Sequence, residues 1–97
     1  MYGYYRLEDT DAMDSVVKEL NLYENWDAMC VVNEGGEDIM YDRLLWYIDP
    51  VDGKLVLEIE YDNKLKFDYF YSGDKLILRD YYGYSYILVK GIDPYGN

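Results

Sequence analysis

Apolar and polar residues alternate with a period of two through most of this chain, the spacing that sends successive side chains to opposite faces of a β-strand. In Lys54 to Glu60, residues Leu55, Leu57 and Ile59 share one face, and Glu58 and Glu60 take the other. In Lys64 to Tyr71, residues Leu65, Phe67, Tyr69 and Tyr71 oppose Lys64, Lys66 and Asp68. Lys75 to Arg79 and Tyr84 to Lys90 continue the series. Tyr2 to Glu8 reads as an aromatic-rich first strand, and Trp26 to Asn33 as a strongly apolar one. Glu37 to Tyr41 and Arg43 to Ile48 read as two short strands, or as one strand interrupted near Asp42.

The breaks between these runs carry turn chemistry: Gly35-Gly36, Asp49 to Gly53, Asp62-Asn63, Ser72 to Asp74 and Asp80 to Gly83. Proline fixes one backbone angle in such turns, and glycine or asparagine accepts the positive φ that others resist. The period changes once. Met13, Val16, Val17 and Leu20 stand at i, i+3, i+4 and i+7, after Thr10 or Asp11 as a cap and with Asp14 against the dipole. That spacing predicts one short helix over residues 11–20, stopped near Asn21.

Strands at roughly ten-residue intervals predict an antiparallel meander. The expected fold is therefore mainly β (α+β by strict count). Six to seven strands form a small or partly open barrel, with one short helix after the first strand. Residues 1–97 form a single domain, a length that supports one modest core.

Composition sharpens this reading. Half the residues are apolar (51%), and fourteen of them are tyrosines, which suit half-buried sheet faces and rigid contact surfaces. Cys30 is the only cysteine, so no internal disulfide forms, and its Met-Cys-Val-Val setting predicts a small buried residue. There is no histidine, which removes any Cys–His nucleophile pair. The N-terminus lacks a basic stretch followed by an apolar one, and the apolar run Leu44 to Ile48 is far too short for a bilayer. The expected location is cytoplasmic, with no membrane contact.

Charge changes the picture most. Met1 to Asp42 holds eleven acids against two bases, a charge of −9, whereas Arg43 to Asn97 holds nine against seven, or −2. A fold does not require that asymmetry; it bears on partners and association rates.

Two segments carry a resemblance to a known family. Gly3-Tyr4-Tyr5-Arg6-Leu7 is similar to the opening strand of bacterial lipocalin-like (calycin-type) domains. Phe67 to Leu78 followed by Tyr86 to Lys90 resembles their closing hairpins. The resemblance implies an up-and-down barrel with a helix beside one mouth and no catalysis. Short strands and bulky Tyr and Trp side chains imply a filled interior in so small a barrel.

Among candidate chemistries, carboxylate pairs carry no specificity in a chain with twenty acids. Asp9, Asp11 and Asp14 offer hard oxygen ligands but lack the glycine and the distal glutamate of a calcium loop. No metal, cofactor or catalytic residue is therefore assigned, and the chain is expected not to be an enzyme. Direct nucleic-acid binding requires clustered Lys or Arg, which nine scattered bases do not supply.

The expected function is a binding protein that presents an acidic face to a basic protein surface. One form of this is a nucleic-acid-mimicking inhibitor of a nucleic-acid-handling enzyme, as anti-CRISPR proteins are. The expected contacts are Glu8, Asp9, Asp11, Asp14, Glu34, Glu37 and Asp38, with Tyr81, Tyr82 and Tyr84 as an aromatic anchor. A homodimer is compatible with this composition. The alternative is a lipocalin-like module that binds a small apolar ligand or serves a structural role.

Overall fold

The computed structural model describes residues 1–60 and 63–95. Eight strands follow one another: β1 (Gly3–Thr10), β2 (Ser15–Leu22), β3 (Asp27–Glu34), β4 (Glu37–Ile48), β5 (Leu55–Glu60), β6 (Asn63–Ser72), β7 (Lys75–Arg79) and β8 (Ser85–Gly91). Each pairs antiparallel with the next, and β8 returns to pair with β1, closing the barrel. Closure leaves no unpaired edge on a sheet rich in exposed aromatic side chains.

Period-two alternation fills the interior. Tyr5, Leu20, Leu22, Cys30, Leu44, Leu55, Leu57, Leu76, Leu78 and Leu88 are all buried in one core, with Trp46, Phe67 and Tyr86 among them. The sequence-predicted faces hold where they cross this core: Leu55, Leu57 and Phe67 are buried, and Ile59 and Leu65 pack against them. Burial pushes the Cys30 thiol up to about 12, with Glu34 adding to it, so Cys30 is the inert apolar residue its setting predicts.

Of the two expected forms, small closed barrel or partly open one, the closed one is found. Two expectations are corrected: among the described residues there are eight strands rather than six or seven, and there is no helix. Residues 15–20 of the expected helix over 11–20 belong instead to β2, which runs on to Leu22. The cause is a register shift in the β2–β3 ladder between Val17 and Glu19. A bulge inserts one residue, so the buried positions Val17 and Leu20 stand three apart, as they would on a helix. Met13, the first member of the supposed stripe, is 83% exposed in the turn before β2. Asp11 and Asp14 thus cap no helix, and no helix stands beside the mouth.

Glu37 to Ile48 is one strand interrupted where expected. The β3–β4 register slips between Ala28 and Cys30, and Arg43 takes φ +59° on the β4 side. The Asp49 to Gly53 turn forms as read, with the Gly53 N–H donating to the Asp49 carbonyl at 2.8 Å. In the expected Asp62-Asn63 turn, Asp62 lies outside the described residues.

Tyr86 ties the barrel across the β1–β2 and β7–β8 turns. Its hydroxyl donates to the Ser15 carbonyl at 3.1 Å and lies 3.4 Å from Asp80 Oδ2. Burial first, then Asp80, pushes that hydroxyl up to about 12 from its ordinary 10. A pKa raised by folding adds stability that is complete below pH 10 and disappears as pH climbs through about 12. The protein is therefore expected to lose stability across that window, with Tyr86 ionising only as the barrel opens. Tyr86→Phe should be less stable near neutrality and flatter between pH 10 and 12 in chemical denaturation at stepped pH.

Candidate functional site

In an antiparallel meander, alternate turns share an end of the barrel. The β1–β2, β3–β4 and β7–β8 turns therefore lie together at one end. Hydrogen bonds join two of them directly: Thr10 Oγ1 donates to the Ser85 carbonyl at 2.6 Å, and the Ser85 N–H donates to Asp11 Oδ1 at 2.8 Å. The third adjoins through the ladder, where Ser15 pairs with Glu34.

This geometry gathers most of the expected contacts. Asp9, Asp11, Asp14, Glu34, Glu37 and Asp38 are all exposed at or beside these turns. Across segments 9–16, 33–38 and 79–86 there are seven acids, counting Asp80, and one base, Arg79. Among the described residues no ion pair reaches any of the seven; the recorded pairs are Lys54–Asp68, Lys64–Glu58, Lys66–Asp49, Lys66–Asp52 and Lys75–Glu8. Four of these five lie on the β4 to β6 flank, away from the three turns.

Glu8 stands apart. It falls where the β1–β8 register shifts, and Lys75 Nζ lies 3.3 Å from its carboxylate. Its charge is spent on the barrel flank and not at the acidic end.

Two of the acids also hold the turns in shape. Asp80 Oδ1 accepts the N–H groups of Tyr82 and Tyr84, each at 3.0 Å, and Asp38 Oδ1 accepts from Asn33 Nδ2 at 2.8 Å. Glu34 and Glu37 are register partners flanking Gly35-Gly36, whose φ of +61° and +90° is the left-handed geometry of a tight hairpin. Like charges placed directly opposite on paired strands oppose folding. This hairpin thus keeps an unfavourable pair at its tip.

The aromatic turn stands above the acids. Tyr81 is 88% and Tyr82 81% exposed, their rings 5.5 Å apart and nearly perpendicular at 88°. Tyr84 is less exposed. The backbone bonds from Asp80 hold these rings outward, and Met13 from the β1–β2 turn adds a third exposed apolar tip.

The core side chains pack together in the interior, and two open grooves lie on the outer surface. One, of about 460 Å³, is lined by Tyr23, Asp27, Met29, Met40, Arg43 and Tyr95. The other, of about 480 Å³, lies along β1 and β8 by Arg6 and Lys90. The C-terminal segment forms a wall of the first. Asn21 Nδ2 donates to Asp93 Oδ2 at 2.9 Å, and the Tyr95 hydroxyl donates to the Glu19 carboxylate, which Tyr4 also reaches. Among the described residues no group of three Cys, Asp or Glu side chains converges to hold a metal ion. Among the described residues no helix is long and apolar enough to cross a membrane.

Sequence reasoning missed the opposite end of the barrel. Tyr2, Trp26 and Trp46 meet there, with ring centroids 4.9 to 6.5 Å apart. Trp26, which the apolar run places first in a strand, belongs instead to the turn before β3. The polar Glu24-Asn25 pair just before it is the signal that marks it as a turn residue. The comparisons with known proteins find no matching family model, no matching curated protein and no matching solved structure.

Proposed function

We propose that this protein is a non-enzymatic binding protein whose acidic barrel end docks on a basic protein surface, with Tyr81 and Tyr82 as its anchor. The observation that carries this reading is the set of exposed acids without recorded ion pairs around one aromatic turn. Clustered like charge raises encounter rates with an oppositely charged groove, and rigid aromatic tips contribute contact area at small entropic cost. A basic groove that normally holds nucleic acid has this complementary character, which makes an inhibitor of a nucleic-acid-handling enzyme the favoured form. The expected result is a partner captured from a cell lysate at low salt and released at high salt, and not captured by the Glu34→Gln/Glu37→Gln/Asp38→Asn variant. Equal capture by both proteins at all salt concentrations overturns the reading.

A second reading rests on the eight-stranded up-and-down closure, which is also the lipocalin arrangement. On that reading the chain is a lipocalin-like module. Its packed core favours a structural role over a carried apolar ligand. This reading predicts association that responds little to salt.

A further inference from the structure

Arg43 holds a backbone conformation that its side chain makes costly. Its φ is +59°, the left-handed region that glycine or asparagine occupies more readily than a long side chain does. The fold needs that angle, because Asp42 and Arg43 form the β4 bulge opposite Met29, where the β3–β4 register slips. It does not need an arginine. Among the described residues no ion pair reaches the Arg43 guanidinium; the recorded pairs all use lysines. Backbone strain of this kind persists where the side chain serves a site.

The site is the outer groove of about 460 Å³, which Arg43 lines together with Asp42 and Asp27. That volume falls within the size of small-molecule sites. Asp27 lies two residues along β3 from Met29, the point facing the bulge, so the opposite charges flank one short stretch of the ladder. No ion pair closes the gap between them. Met29 is buried on the outward parity of β3 and Met40 is 49% exposed, and both thioethers face the groove with the rings of Tyr23 and Tyr95. Both tyrosines are held in place. The Tyr23 carbonyl accepts from the Trp26 N–H at 3.2 Å and from Trp46 Nε1 at 2.9 Å, and the Tyr95 hydroxyl donates to the Glu19 carboxylate at 2.9 Å. Asn25 Nδ2 donates to Asp27 Oδ2 at 2.9 Å, which uses part of a carboxylate able to accept about four hydrogen bonds.

We infer that this groove binds a small zwitterion with an apolar side chain, of the class of a free aromatic α-amino acid, its carboxylate on Arg43 and its ammonium on Asp27 and Asp42. A simple anion would meet two carboxylates in the groove and a net charge of −11 on approach. A simple cation would leave the guanidinium unanswered, and an uncharged apolar ligand would cover three charges without pairing any of them. A zwitterion answers both signs at once. The guanidinium fork matches a carboxylate in two-pronged geometry, and the acids accept the three donors of an ammonium. An aromatic side chain then lies on Met29, Met40 and the tyrosine rings, since thioether sulfur packs favourably against aromatic rings. The site is separate from the acidic barrel end, whose turns contribute no lining residue.

The test is an NMR titration of the full chain at neutral pH and fixed ionic strength with three compounds. They are L-phenylalanine, its amide, which lacks the carboxylate, and N-acetylphenylalanine, which lacks the ammonium. The expected result is a saturable shift of the amides of residues 27–29 and 40–43 by phenylalanine, with each derivative weaker by about tenfold or more. Arg43→Asn keeps a residue suited to the left-handed bulge, so it should melt at the parent temperature or above. It should nevertheless bind phenylalanine about tenfold more weakly and the amide as before. Asp27→Asn/Asp42→Asn, at two exposed positions, should weaken phenylalanine by a similar factor and leave N-acetylphenylalanine no weaker. The Glu34→Gln/Glu37→Gln/Asp38→Asn variant should bind phenylalanine as the parent does, whatever the fate of the proposed docking face. No saturable shift, equal affinity for the three compounds, shifts centred outside the groove, or undiminished phenylalanine binding by Arg43→Asn would overturn the inference.

Discussion

Leu57→Ala is expected to lower the free energy of unfolding by about 2–5 kcal/mol, the range for truncating a fully buried leucine in a packed core. Leu57 has no exposed surface, and its register partners are Trp46 on β4 and Leu65 on β6. A barrel interior lined from all sides cannot collapse onto the vacated space without shifting several strands, which places the loss toward the upper part of that range. Leu45→Ala is the internal control. Leu45 lies one residue from Trp46 on the outward parity of β4 and is 49% exposed, so its truncation should cost well under 1 kcal/mol. Urea denaturation of the two variants checks the difference. Similar losses would mean that the inward and outward faces of β4 and β5 are wrongly assigned.

The second large effect is on binding and has the opposite sign for stability. Glu34→Gln/Glu37→Gln/Asp38→Asn removes three exposed charges from the acidic end. Because Glu34 and Glu37 face each other across the hairpin, the variant should melt at the same temperature as the parent or higher. Association with a basic partner should nevertheless slow by about tenfold or more at low ionic strength. At salt concentrations where the Debye length falls to about 3 Å, the two proteins should associate at nearly the same rate. Stopped-flow association and calorimetric melting together check both halves. A variant that binds more slowly because it is less stable would point to a structural role for these carboxylates. A gain or no change in stability with a loss of binding rate is the pattern of residues kept for function at some cost to the fold.

Most of the β-structure was legible because strand periodicity is local. Lys75 to Arg79 matches β7 in full, and the Asp49 to Gly53 turn and the interruption near Asp42 stand where residue chemistry placed them. What local pattern could not supply was β2. A bulge there converts a period of two into a spacing of three, and Val17 with Leu20 imitates a helical stripe. The β-branched pair Val16-Val17 is the local feature that favours a strand there.

That single misreading had a functional consequence. Counting residues 15–22 as a strand fixes the direction of every later strand, and it is this parity that sends the β1–β2, β3–β4 and β7–β8 turns to one end. From sequence, the acids of residues 8–14 and 34–38 were two clusters along a chain. Only the eight-strand count makes them neighbours. Glu8 could not be separated from them by sequence, since its partner Lys75 is distant in the chain and arrives through closure of β8 on β1. The aromatic end was hidden for a related reason, because Tyr2, Trp26 and Trp46 come from three separate segments.

The most direct measurement is to map which amides shift when a lysine-rich peptide is titrated into the isotopically labelled protein at low salt. Perturbations concentrated on residues 9–14, 34–38 and 80–84, and abolished by added salt, are the predicted result. Shifts scattered evenly around the barrel, or strongest along β5 and β6 where lysines already answer the acids, would contradict a single acidic docking end.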